Sequence, residues 1–90
     1  MPMKWAYEIA ATAQRDLKRL PRSTQIDILR KIVALAGDPR NSPQVRALKG
    51  SRGRFRLRVG DYRIIYSLDE DERVVRVEHI RHRRDAYRGL

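Results

Sequence analysis

The sequence contains no cysteine, which excludes disulfide bonds, zinc–thiolate sites and thiol nucleophiles. Aromatic residues are scarce as well, at 7% of the chain, with a single tryptophan and a single phenylalanine. No apolar run approaches the about 20 residues needed to cross a bilayer, and the first residues lack the apolar core of a signal peptide. We therefore expect a cytoplasmic protein without disulfides that does not enter a membrane.

Acidic residues are also few, because 11 Asp and Glu stand against 21 Lys and Arg and leave a formal net charge of +10. With 90 residues, the chain is long enough for one domain with a modest core, so we expect a single domain over residues 1–90. This charge indicates a polyanionic partner: nucleic acid is the first candidate, an acidic protein the second and an anionic membrane the third.

The first half of the chain shows a helical period after one short strand. Residues 4–9 are predicted to be that strand, and apolar residues then recur every three or four positions over 11–20 and over about 23–36. Glycine and proline end the second helix. Residues 38–53 are predicted to be a loop, with a short extended piece at 45–48.

The second half changes to a period of two. We predict strands at 54–59, 62–68 and 73–80, joined by a Gly60-Asp61 hairpin turn and an acidic turn at 69–72. The predicted fold class is therefore α+β: an N-terminal strand, a helical hairpin, then a three-stranded antiparallel meander forming one curled sheet. The helices are expected on one face of that sheet, with the opposite face open.

Arginines alternate with apolar residues along the first strand of the meander, at Arg54, Arg56 and Arg58. Alternate residues of a strand share a face, so these three form a row turned away from the core. A solvated face is the simpler interpretation, but the self-repulsion of such a row favours a polyanion. Arg63 lies in the most apolar strand, where it needs either a partner such as Glu78 or an opening into a cleft, and the pattern leaves both possible.

Only His79 and His82 titrate near neutral pH. His79 alternates with Val75 and Val77, which indicates a structural strand residue. His82 lies among arginines that favour its neutral, proton-accepting form, although a surface histidine without a role fits the pattern equally well. Tyr87 either packs on the sheet or contacts a nucleotide. No cluster of carboxylates and histidines has metal-site spacing, so we expect no metal and no other cofactor.

Three segments together, Leu48–Gly50, Phe55–Tyr66 and His79–Arg88, resemble the RelE/ParE toxin superfamily, and in particular its RelE branch. The resemblance covers the whole chain. It implies a ribosome-dependent endoribonuclease that cuts mRNA without metal, through the ribose 2′-hydroxyl. It also implies a cognate acidic antitoxin of the RelB type that wraps the toxin, and operator DNA that is bound only jointly with this antitoxin.

The resemblance also implies roles for individual residues. The basic residues and C-terminal tyrosine of the RelE branch fall on Arg56, Arg58, Arg63, Arg83 and Tyr87, and related branches use a C-terminal histidine, here His82. The best-known RelE pattern has lysines in place of the first two arginines. Because arginine stays protonated, proton transfer here needs another group. RNA-binding roles are expected for the flanking residues Lys49, Arg52, Arg54, Arg81, Arg84 and Arg88.

Two other functions fit part of the pattern. The ParE branch shares the fold and poisons DNA gyrase without being a nuclease, but Arg83 and Tyr87 favour the RelE branch. A non-catalytic nucleic-acid-binding module needs only the basic face. The small number of aromatic residues among the arginines argues against that module, because such surfaces usually stack bases on aromatic rings.

Overall fold

The computed structural model describes residues 5–39, 45–48 and 53–84. In these segments, neither helix is both long and apolar enough to span a lipid bilayer. The helices and strands, in chain order, are β1 (Ala6–Ile9), α1 (Ala11–Lys18), α2 (Arg22–Gly37), β2 (Val45–Ala47), β3 (Arg54–Val59), β4 (Tyr62–Asp69) and β5 (Val74–His82). The predicted α+β class and the predicted order of elements are confirmed.

One mixed sheet has the strand order β1-β5-β4-β3-β2. The predicted meander, β3 to β5, is antiparallel and forms its centre, whereas β1 runs parallel to β5. Val59 pairs directly with Tyr62, which confirms the two-residue turn, and Gly60 supplies the positive φ of 58° that such a turn needs. The piece predicted at 45–48 is a strand, β2, paired with β3, so the described residues form a sheet of five strands where the prediction had four.

Both helices pack on the same face of the sheet. Helix α1 lies along β5, and α2 contacts β1 and β3. The buried residues of α2 recur at helical spacing, at Ile28, Ile32 and Leu35, and so turn one stripe toward the strands. The core combines them with Ala13, Leu17, Val45, Leu57, Ile64, Tyr66, Val75, Val77 and Ile80.

Tyr66 is a fully buried tyrosine on the central strand. Its hydroxyl donates a hydrogen bond of 2.8 Å to the carbonyl of Pro39, and its ring stacks on Phe55 with centroids 5.6 Å apart. Burial raises the pKa of this phenol above its ordinary value, which keeps it protonated as a donor.

Replacing Tyr66 by Phe keeps the ring and leaves the Pro39 carbonyl without its donor. We expect Tyr66→Phe to lower the free energy of unfolding by about 1–3 kcal/mol, measured by urea denaturation. Tyr7→Phe is the matched control, because the Tyr7 side chain is 45% exposed. Equal stability of the two variants would show that the buried hydrogen bond contributes nothing.

Candidate functional site

The sheet face opposite the helices carries arginines that are in register across three strands. Residues paired across antiparallel strands share a face, with Cβ atoms about 4.5–5.5 Å apart. Arg58 on β3 pairs with Arg63 on β4, and Arg63 pairs with Arg81 on β5. We call Arg58, Arg63 and Arg81 the arginine row. Three neighbouring guanidinium groups repel one another, so the row favours an anion that binds across it.

A second line of residues runs beside the arginine row on the same face, formed by Arg56, Ile65 and His79. Ile65 is 0% exposed although it lies on the face away from the helices and outside the core cluster. Its cross-strand neighbours are Arg56 and His79, and long arginine side chains commonly cover apolar surface in this way. Apolar surface beside cations lowers the local dielectric constant, which strengthens their attraction for an anion.

The other end of this face is neutralised by ion pairs. Arg54 binds Glu78 at 2.7 Å, and Arg76 binds both Glu8, at 2.8 Å, and Asp69, at 2.9 Å. The backbone amide of Glu72 and then the Arg76 guanidinium lower the pKa of Asp69. These pairs keep the charge of Arg54 and Arg76 compensated, so in the described segments the uncompensated charge of this face lies at Arg58 and Arg63.

The sequence left Glu78 as a possible ion-pair partner of Arg63, but in the structure Glu78 pairs with a different arginine. Glu78 binds Arg54 and accepts a bond of 3.3 Å from the Ser67 hydroxyl. Arg63 donates only to the carbonyl of Tyr62, at the long distance of 3.5 Å. In the segments that the structure describes, no carboxylate pairs with Arg56, Arg58 or Arg63.

A bulge in β5 places His79 on the arginine face. The pairing shifts from Ile65–His79 to Tyr66–Val77, so Glu78 is the extra residue on its strand. Simple alternation predicts His79 on the helix side together with Val77, and that prediction is wrong because of this extra residue. The two consecutive polar residues at 78 and 79, after a regular apolar–polar alternation, are the signal in the sequence that indicates the bulge.

His82 lies on the opposite face from the arginine row. Its cross-strand partner is Tyr62, which packs against the core, and the two rings meet edge to face at 5.6 Å. His82 also borders an open groove of about 510 Å³ beside the end of α1, lined further by Asp16, Arg19, Leu20, Tyr62, Ile80 and Arg81. Arg81 belongs to both the groove and the row, so the two faces of the sheet meet at this residue.

The sequence suggested that a neutral His82 accepts a proton, and its hydrogen bonds show which ring nitrogen has a lone pair. Its Nδ1 accepts a bond of 3.3 Å from the backbone amide of Arg84. A neutral imidazole that accepts at Nδ1 carries its hydrogen on Nε2, so the remaining nitrogen is a donor. In this arrangement the Nε2–H of His82 is a hydrogen-bond donor.

The remaining predicted residues follow β5 or lie outside the described segments. Arg83 and Arg84 are exposed, and the Arg83 amide donates to the Asp61 carbonyl at 2.7 Å, which ties the end of β5 to the hairpin turn. Outside the described residues lie Lys49, Arg52, Tyr87 and Arg88. Across residues 5–39, 45–48 and 53–84, no three His, Asp or Glu side chains group as metal ligands would.

Known proteins resemble this chain over nearly its full length. Residues 7–87 match the family described as ParE toxin of type II toxin–antitoxin system, parDE. The toxin RelG of Mycobacterium tuberculosis is 35% identical over 91 residues, an alignment that covers 96% of this chain and 99% of the relative.

Solved structures show the same fold. The archaeal RelE–RelB complex from Pyrococcus horikoshii superposes with a TM-score of 0.78 at 26% identity and covers 90% of this chain and 97% of that chain. The toxin–antitoxin complex RelBE2 from Mycobacterium tuberculosis has a TM-score of 0.80 at 24% identity, covering 89% of this chain and 99% of that one.

Proposed function

Because the chain belongs to the RelE/ParE family of toxins of type II toxin–antitoxin systems, we propose that it is a ribosome-dependent endoribonuclease that cuts messenger RNA in the cytoplasm. The observation that carries this proposal is the arginine row. It combines three cations in register with the neighbouring apolar side chain of Ile65. Two of the cations, Arg58 and Arg63, have no carboxylate partner in the described segments. A scissile phosphate is the ligand that this arrangement suits best.

The proposed reaction is cleavage by the neighbouring ribose. The 2′-hydroxyl gives up its proton to solvent as its oxygen attacks phosphorus. The bond from phosphorus to the 5′-oxygen breaks as that oxygen takes up a proton, and the products are a 2′,3′-cyclic phosphate and a 5′-hydroxyl. The arginine row stabilises the negative charge that builds on the phosphorane. Each well-placed donor is worth roughly 2.7–4 kcal/mol in comparable sites. No metal ion takes part in this proposal.

We assign proton delivery to His82. The neutral ring that accepts at Nδ1 cannot give up its Nε2 hydrogen, so His82 acts in its protonated form, which passes one proton to the departing 5′-oxygen and returns to the neutral ring. The substrate phosphate is then bound at the Arg81 end of the row. Tyr87 is proposed to contact the nucleotide, and Arg83 to bind phosphate. General acid–base groups contribute about 10²–10⁴-fold to rates.

The variant His82→Gln tests this assignment. We expect it to slow single-turnover cleavage by about 10²-fold, because the glutamine amide can donate a hydrogen bond but cannot transfer a proton, while ribosome binding changes much less. Rates and dissociation constants are measured on the same preparation of programmed ribosomes. A variant that cleaves at the wild-type rate would remove His82 from the mechanism.

A RelB-like antitoxin is the proposed partner, and the two proteins are proposed to bind operator DNA jointly. Solved neighbours in this family are RelE–RelB complexes. An acidic antitoxin segment lying over the arginine row would neutralise the charge of Arg58 and Arg63, which have no carboxylate partner in the described segments, and would block the phosphate site in the same step.

Binding of this antitoxin should weaken steeply with salt. Raising the ionic strength from 0.1 M to 1 M shortens the Debye length from about 10 Å to about 3 Å, so we expect at least a roughly tenfold loss of affinity. Calorimetry at several salt concentrations measures it, and Arg58→Ala should flatten the dependence. A dissociation constant that is independent of salt would indicate a mainly apolar interface instead.

Gyrase inhibition is the second candidate, because the matched family is described by its ParE member. Purified protein distinguishes the two functions directly. The endoribonuclease cuts an mRNA that is bound to ribosomes and leaves the same mRNA intact when ribosomes are omitted. Inhibition of gyrase supercoiling with intact mRNA would establish the ParE-like function.

A further inference from the structure

His79 is absent from the set of active-site residues that the family resemblance implies, yet it contacts the arginine row. The β5 bulge brings it to the open face, two residues before Arg81 on the same strand. Its Nδ1 lies 3.2 Å from Nη2 of Arg81. Arginine has donors only, so the imidazole must accept this bond with an unprotonated Nδ1.

The surroundings of His79 favour the neutral ring that this bond requires. Burial is the main cause that lowers its pKa below the ordinary value, and the Arg81 charge is the next. The charged groups that act on the ring are Arg81 and Glu78 on β5, Asp16 on α1 and Arg54 on β3. Ile65 is its apolar cross-strand neighbour on β4. His79 therefore keeps its lone pair at neutral pH and can hold a guanidinium.

We propose that His79 is a positioning residue that holds the Arg81 guanidinium in the arginine row, ready for the scissile phosphate. Arg81 stands beside Arg63, and the two positive charges repel each other. A bond from the neutral imidazole offsets that repulsion and fixes the direction of the guanidinium before substrate arrives. A donor that is already oriented needs no reorganisation during the reaction. This inference rests on the proposed endoribonuclease function.

The free protein gives the first test, which needs no ribosome. Nitrogen NMR should show His79 with its proton on Nε2 at pH 7, and with a titration midpoint below the ordinary value of about 6.5. Arg81→Ala should raise that midpoint, because it removes a neighbouring positive charge. Arg22→Ala, on the exposed start of α2, should leave it unchanged. A proton on Nδ1, or a midpoint insensitive to Arg81→Ala, overturns the contact.

A double-mutant cycle in cleavage gives the second test. We expect His79→Leu to lower the single-turnover rate roughly tenfold. This is a smaller loss than the reduction of about 10²-fold that accompanies a misplacement of 1 Å. His79→Gln should recover most of the rate, because its amide oxygen can accept the same bond. In an Arg81→Ala background, His79→Leu should have no further effect. The positioning role is overturned if His79→Leu lowers the rate just as much in the Arg81→Ala background, or if His79→Gln does not recover the rate.

The pH profile completes the test. As pH falls through the lowered pKa, protonation of His79 ends its bond to Arg81, so the wild-type rate at saturating ribosomes should fall while KM does not rise. The His79→Gln variant should lose this acid limb, and thermal melting at each pH confirms that both proteins stay folded. An identical limb in both proteins overturns the proposal. Absence of cleavage by the wild type would instead refute the proposed function and leave the NMR result standing.

Discussion

Arg63→Ala should lower the single-turnover rate of mRNA cleavage on ribosomes by about 10²–10³-fold, the cost of losing one well-placed donor to a developing anion. Arg63 is the central member of the arginine row, flanked by Arg58 and Arg81. Among residues 5–39, 45–48 and 53–84, its guanidinium makes only one long hydrogen bond, to a neighbouring carbonyl, so it is available for phosphate. The measurement is cleavage of a defined mRNA by excess toxin on programmed ribosomes.

Two controls separate chemistry from stability in that experiment. Arg22→Ala removes an exposed arginine from α2, remote from the row, and should cleave at the wild-type rate. Arg63→Lys keeps the charge without the planar fork and should recover part of the rate. Thermal melting of Arg63→Ala should match or exceed the wild type, because none of the carboxylates in the described part of the chain pairs with Arg63. A folded Arg63→Ala protein with wild-type activity would show that the row is only a solvated face.

Ile32→Ala should lower the free energy of unfolding by about 2–5 kcal/mol, because it opens a cavity between α2 and the sheet. Ile32 is 0% exposed, whereas its neighbour Val33 is 56% exposed. Small domains have only about 5–15 kcal/mol of stability, so this one substitution removes a large part of it.

Val33→Ala is the matched control for the orientation of α2, and its effect should stay within about 0.5 kcal/mol. Urea denaturation at one temperature compares the three proteins. Equal destabilisation by the two substitutions would mean that α2 does not turn the Ile32 stripe toward the sheet, and the face on which the helices pack would have to be reassigned.

The central hairpin was predictable from the sequence because its determinants are local. The period of two, the turn glycine at Gly60 and the apolar strand at 62–68 each follow from neighbouring residues. Strand β2 was predicted only as an extended piece. Three residues carry too little pattern to show a partner, and its pairing with β3 depends on residues about ten positions away.

The faces of the two histidines were not predictable from alternation. A shift of one residue in register moves every later side chain to the other face of a sheet, and the β5 bulge makes such a shift at Glu78. His79 therefore lies with the arginines, although it alternates with Val75 and Val77 in the sequence, and His82 lies on the core side. The pairing of Glu78 with Arg54 is likewise a contact between distant strands, which sequence spacing does not reveal.

Mapping of mRNA 5′ ends in cells that express this toxin without an antitoxin tests the proposed function most directly. We predict growth arrest together with new 5′-hydroxyl ends inside translated coding regions, and loss of those ends in the Arg63→Ala variant. The same ends should be absent from untranslated RNA, because cleavage requires the ribosome. Ends spread equally over untranslated RNA, or DNA breaks with intact mRNA, would contradict a ribosome-dependent endoribonuclease.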